Sequence, residues 1–169
     1  MAMHEMRRKD RAVTDADKIR QVILSCSCCR LGFYDEQEQE PYILPLNFGY
    51  EEAEGVHSFY FHSANAGRKI ALLSDAEAAG KKLAIEMDTG AELIEGTMAC
   101  QYSMRYQSVM GTGYLSVLKT PEEKRHGLNC LMAHYSQQRN WTYPDAMLNQ
   151  ICVFCLKVKA EALSCKEHL

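Results

Sequence analysis

The chain has 169 residues, 47% of them hydrophobic, with 19 basic and 22 acidic side chains and a net charge of −3. At ~100–200 residues per domain this predicts a single globular domain with a core of its own, excludes wholesale disorder, and lacks the basic excess of a nucleic-acid binder. No run approaches the ~18–20 apolar residues of a membrane span, and the opening MAMHEMRRKDRAV has no apolar segment behind its basic residues, so no membrane anchor or secretory signal is expected.

The first periodic segment covers residues 14–25. Thr14 stands where an N-cap belongs, Asp15 and Asp17 suit the positive end of the dipole, and Ile19, Val22 and Ile23 form one stripe. Residues 29–34 read as a strand, the acidic stretch 35–40 as a hairpin loop, and 41–50 as a second strand with Pro45 inside it, which marks an edge or a bulge. A third, tightly alternating strand covers 56–63. Ser63 or Asn65 then caps a helix over 66–74. Strands follow at 82–88, with Leu83, Ile85 and Met87 on one face, and at 104–118, carrying Gly111 and Gly113. Thr120-Pro121-Glu122-Glu123 combines a cap, a proline at the first position and the glutamate of a capping box, a strong helix start. Residues 141–149 read as a loop and 151–163 as the last strand. Six strands with short connections favour antiparallel pairing, so the expected fold is a mainly β, antiparallel sheet or barrel with peripheral helices.

The eight cysteines (26, 28, 29, 100, 130, 152, 155 and 165) are expected as reduced thiols of a cytoplasmic protein, mostly filling the core. A structural metal is not expected: Cys152 and Cys155 lie in an alternating strand, where residues three apart point to opposite faces, and the Cys26/Cys28/Cys29 cluster has no second half at zinc-ribbon spacing.

Three segments could carry chemistry. In YFHSANAGRK (60–69) a strand runs into a helix whose first turn carries Arg68 and Lys69, against the dipole's preference. An anion in front of them, met by free amides, Ser63 and a close backbone at Gly67, accounts for that placement; a solvated first turn accounts for it equally. In QSVMGTG (107–113) the two glycines share a face with Val109, marking a sharp bend or a flat group against the backbone. In PYILPLNF (41–48) Pro45 removes a ladder donor and parts the neighbouring strand, which exposes backbone to a ligand or simply kinks an edge. His62 shares a strand face with Ser58 and Tyr60 and is a candidate acid, base or ligand.

Taken in chain order, and with MRRKDR (6–11), EMD (86–88) and the EEK-containing helix, these blocks resemble the pyridoxamine 5'-phosphate oxidase-like FMN-binding split barrels, and within them the nitroimidazole-resistance branch. The resemblance runs from Met6 to about residue 163 and leaves residues 1–5 outside. It implies a six-stranded antiparallel split barrel forming a homodimer, with FMN at the interface. It implies that Arg68 and Lys69 hold the FMN phosphate with help from Ser63, and that the backbone of Leu44, Pro45, Leu46 and Asn47 runs along the isoalloxazine edge. His62 would sit beside the flavin as the candidate catalytic group. Ser108 and Val109 would come from the partner subunit or the facing wall, and Trp141 and Tyr143 could cover the ring. The tryptophan block and arginine–histidine segment with which the oxidases grip pyridoxal phosphate are missing from the closing AEALSCKEHL. The resemblance therefore implies an FMN-dependent reductase of small molecules such as nitroimidazoles, with a transiently bound nicotinamide nucleotide as a possible donor. A flavin- or haem-binding split barrel without turnover, acting in storage or sensing, is the competing expectation.

Overall fold

The computed structural model describes residues 7–138 and 140–169; Met6, where the resemblance begins, lies outside them. In chain order the strands are β1 (Ala12–Val13), β2 (Cys29–Asp35), β3 (Glu40–Leu46), β4 (Gly49–Ala53), β5 (Val56–Ala64), β6 (Lys82–Ile94), β7 (Ser103–Leu118), β8 (Ile151–Lys159) and β9 (Leu163–His168). The helices are α1 (Ala16–Ser25), α2 (Arg68–Ala78), α3 (Pro121–Tyr135) and the single turn α4 (Asp145–Leu148). All strand pairs are antiparallel, in the order β3-β2-β6-β7-β8-β5-β4, with β9 joining β7 and β1 joining β9. The sheet curls but does not close: β3 and β4 end the main order and β1 ends the β9 branch. No helix among the described residues is long and apolar enough to cross a membrane.

The expected antiparallel, mainly β architecture with peripheral helices is present, with nine strands among the described residues where six were expected. The two-residue β1 is too short to leave a pattern. The expected strand 41–50 is two strands, because Phe48 turns fully into the core and its N–H goes to Tyr135 Oη, 3.1 Å away, instead of a ladder. The expected last strand kinks through a 3-10 turn at Ala160–Ala162 and resumes as β9. Both halves run along one edge of the long β7, β8 opposite residues 114–118 and β9 opposite 106–111. Gly113 stands at that junction: a Cβ there would lie 2.2 Å from the Lys157 carbonyl oxygen. The glycines of 107–113 thus mark a bend of the sheet.

Asp15, not Thr14, caps α1, accepting the Lys18 N–H at 2.8 Å. The capping box of α3 forms as read: Thr120 Oγ accepts the Glu123 N–H at 3.2 Å and Glu123 accepts the Thr120 N–H at 2.9 Å. The main core lies inside the curled sheet, where Leu31, Phe59, Phe61, Ile85, Met87, Phe154 and Leu156 are fully buried. A smaller core of Leu128, Leu148 and Val153 fills the space between α3, α4 and the outer face of β8.

Candidate functional site

The α2 helix begins at Arg68, not at 66, and its cap position is Gly67, neither Ser63 nor Asn65. Ser63 Oγ donates to the carbonyl of Ala64 at 2.8 Å and Asn65 donates to that of Asn149 at 3.1 Å. Gly67 makes no side-chain cap, has φ +99, and has nothing within 4 Å of where a Cβ would stand. The Ile70 N–H turns back to the Gly67 carbonyl at 3.0 Å, which leaves the amides of residues 68 and 69 as the donors at the helix start, the arrangement that receives an anion at a helix N-terminus. The two cations differ. Arg68 Nε donates to Asp35 at 2.9 Å, its Nη2 donates to Glu40 at 2.7 Å, and its guanidinium sits 4.7 Å over the Tyr42 ring. It staples α2 to the β2–β3 hairpin. Asp35 also accepts the Glu38 and Gln37 N–H groups, and these bonds with Arg68 hold its carboxyl below the usual range. Lys69 is half-buried, with no carboxylate at ion-pair distance among the described residues.

Pinned to α2 at Tyr42, the edge strand β3 runs away from it through Leu44, Pro45, Leu46 and Asn47. Leu44 and Leu46 lean on the core, Pro45 and Asn47 are exposed, and Asn47 donates to the Ser27 carbonyl at 3.3 Å. From Tyr42 to Leu46 the free edge spans about 13 Å at ~3.3 Å per residue. Arg68 thus sets the start of α2 beside the Tyr42 end of that free edge. His62 is exposed on the outer face of β5, the face of Ser58 and Tyr60, as read.

Ser108 lies elsewhere. It pairs with Asp88 on β6 and shares the outer sheet face with Met110 and Arg30, whose guanidinium donates to Asp88 at 2.6 Å. The register puts it level with residue 28, seven positions from the Asp35 that holds Arg68, or about 23 Å along the strands. One protomer does not bring Ser108 to the start of α2. Val109 is fully buried in the core, flanked in the sheet by Met87 of β6 and Cys165 of β9. Tyr143 packs on the small core with Leu128 and Val153, and burial raises its hydroxyl pKa. Tyr143 Oη and Trp141 Nε1 are buried without hydrogen-bond partners among the described residues.

On the outer face an apolar groove of about 740 Å³ runs past Gly32, Ile43, Ala84, Met110 and Leu163, with Arg30 and Glu86 at its rim. Ile43 is 68% and Met110 53% exposed, unusual for large apolar side chains so close together.

Sequence reading passed over one cluster: Glu51 of β4 with His126 and Cys130 of α3, whose ligating atoms all lie within 4.8 Å of one another. The His-x-x-x-Cys spacing on a helix was its visible signal; Glu51, 75 residues before His126, was not.

A sequence profile of the family described as pyridoxamine 5'-phosphate oxidase matches residues 15–166. No curated protein sequence matches the chain at a significant level. Among solved structures, a candidate 5-nitroimidazole antibiotic resistance protein from Bacteroides thetaiotaomicron superposes with a TM-score of 0.76 and 31% identity, over 92% of this chain and 86% of that one. A flavocytochrome from Azotobacter vinelandii (18% identity, 98% and 73% coverage) and an FAD- and haem-binding protein from Mycobacterium smegmatis (14%, 93% and 73%) also give 0.76, and at those identities share the fold alone. With the profile spanning nearly the whole described chain and a solved relative at 31% identity, the protein belongs to the pyridoxamine 5'-phosphate oxidase family.

Proposed function

We propose that the protein binds FMN along the open path from the α2 N-terminus to the β3 edge and works as a flavin-dependent reductase of small molecules, nitroimidazoles among them. The observation that carries this reading is the start of α2 without a side-chain cap, with Gly67 open and Lys69 without a carboxylate at ion-pair distance among the described residues. The donor set fits: backbone amides and one available cation for a phosphate, and an exposed strand for a ring with several donors and acceptors. Lys69 and the amides of residues 68 and 69 hold the phosphate, Arg68 fixes the helix against the hairpin, and the backbone of residues 44–47 orients the ring. Bound FMN would supply reversible electron transfer between a donor, such as a nicotinamide nucleotide, and the substrate. In this reading His62, exposed on β5, exchanges a proton with substrate.

The active unit in this reading is a homodimer. The apolar groove with Ile43 and Met110 is the face a second copy covers, and the same face carries Ser108, which one protomer leaves far from its own α2. The partner then completes the ring site. The eight unpaired thiols suit the reducing cytoplasm. The test is anaerobic: protein loaded with FMN and reduced by a nicotinamide nucleotide should be reoxidised by a nitroimidazole with loss of the nitro absorbance. Reduced flavin that persists in the presence of the nitroimidazole contradicts the proposed substrate class.

A further inference from the structure

Two glycines draw α3 onto the sheet. A Cβ at Gly49 of β4 would lie 2.2 Å from the Leu131 nitrogen and 2.4 Å from the Cys130 carbonyl carbon, and one at Gly127 of α3 would lie 3.0 Å from Tyr60 Cδ1. This close approach sets His126 and Cys130, one helical turn apart on one face, directly above Glu51. His126 Nε2 lies 3.0 and 3.1 Å from the two Glu51 oxygens, Cys130 Sγ lies 3.8 Å from Glu51 Oε2, and Sγ and Nε2 are 3.7 Å apart. Bond lengths of ~2.3 Å to sulfur, ~2.05 Å to nitrogen and ~2.1 Å to oxygen at tetrahedral angles put such ligands about 3.4–3.6 Å apart. The three side chains already stand at the corners of one face of that tetrahedron, within a few tenths of an ångström.

The surroundings match. Tyr60 Oη donates to Glu51 Oε1, the outer-sphere bond that orients a ligating carboxylate. Glu51 and Cys130 are half-buried while the His126 side chain is 55% exposed, which leaves the fourth corner open. Beside it lies a cavity of about 380 Å³ lined by Tyr60, Ser116, Glu122, His126, Cys155 and Lys157. We propose that Glu51, His126 and Cys130 form a three-ligand site for a zinc-class divalent ion, with water in the fourth position. Thiolate, imidazole and carboxylate together suit zinc and cobalt(II), and disfavour magnesium and calcium, which take oxygen ligands. On binding, the Cys130 thiol loses its proton to solvent and no electron changes hands. The site stands on β4 and α3, apart from the β3–α2 path, and does not depend on the flavin reading.

The experiment titrates cobalt(II) into tag-free, reduced protein and follows absorption, then repeats it with zinc in competition. The expected result is one equivalent bound, with a thiolate-to-cobalt charge-transfer band and strong visible bands of tetrahedral cobalt, displaced by zinc. Cys130→Ser should abolish the charge-transfer band, and His126→Asn and Glu51→Gln should each weaken binding by about a hundredfold or more. Cys100→Ser, which alters an exposed thiol elsewhere, should change nothing. Far-ultraviolet circular dichroism checks that each variant is folded. Failure to bind one equivalent, or a thiolate band that survives in Cys130→Ser, overturns the proposal, and either result leaves the flavin site untouched.

Discussion

Gly49→Ala is the sharpest test of how α3 meets the sheet. Ordinary contact with a Cβ begins at 3.4 Å, and the nearest backbone atom of α3 is at 2.2 Å, so helix and strand must part by about 1.2 Å. Both sides of the clash are main chain, so no rotamer change relieves it. The retreat strains bonds that tie the helix down: Tyr135 Oη to the Ser27 carbonyl at 2.8 Å, His134 Nε2 to the Cys26 carbonyl at 2.9 Å, and Lys124 Nζ to the Leu148 carbonyl at 2.7 Å. Overpacking of a rigid site costs about 1–3 kcal/mol, and the upper end applies here. At ~2–4 °C per kcal/mol for a domain of this size, Tm should fall by roughly 6–12 °C in a calorimetric or circular-dichroism melt. Gly32→Ala is the control: its Cβ would meet only Ala84 Cβ at 3.6 Å, and Tm should move by no more than about 2 °C. Equal melting temperatures for Gly49→Ala and the parent would refute the close seating of α3 on β4, and with it the geometry of the Glu51 cluster.

Lys69→Ala should weaken FMN binding roughly 10- to 150-fold, the value of one charge-assisted contact of about 1.5–3 kcal/mol, measured by flavin fluorescence quenching. Arg68→Ala should weaken it less, because that guanidinium is engaged by Asp35 and Glu40; a larger loss there would reverse the assignment. His62→Ala should keep FMN and lose most of the reductase turnover, and equal turnover removes His62 from proton exchange. Met110→Glu, on the apolar groove, should shift the protein to monomer by light scattering and lower flavin affinity; an unchanged dimer would move the interface elsewhere. Burial lowers the pKa of both His57 and His134 below the ordinary 6.5. The unfolded chain takes up protons there before the folded one does, so this stabilisation is present above pH 6.5 and is lost as pH falls through the depressed values. Denaturant unfolding at pH 7.5 and 5.5 should give the lower stability at 5.5; the opposite order contradicts the buried placement of both rings.

What the sequence made legible follows from how local the determinants are. Strands β2 and β6 alternate because one face of each is core, and the capping box of α3 lies within four residues. The break of the second strand at Phe48 depends on Tyr135, 87 residues later, accepting its amide. Residues 151–159 were legible as a strand, but not that both faces are buried over 152–156, since α3 and α4 cover the outer face of β8 while the sheet's core takes the inner one. At the candidate site the cations at the start of α2 were visible, but not their inequality. Asp35 and Glu40, which occupy Arg68, sit in a hairpin that sequence spacing presents only as an acidic loop. The cysteine reading looked for paired spacings and passed over Cys130, whose neighbours Glu51 and His126 meet it through the close approach at Gly49.

The most direct measurement of the central claim is the absorption spectrum of the purified protein, followed by that of the supernatant after heat denaturation and by titration with added FMN. The account predicts flavin bands in the native protein or on titration, one flavin per protomer, released on denaturation and chromatographing as FMN. A protein that is colourless and fails to take up FMN would contradict the assignment of the α2–β3 path as a flavin site, and a Soret band in place of flavin bands would assign the fold's cofactor to haem.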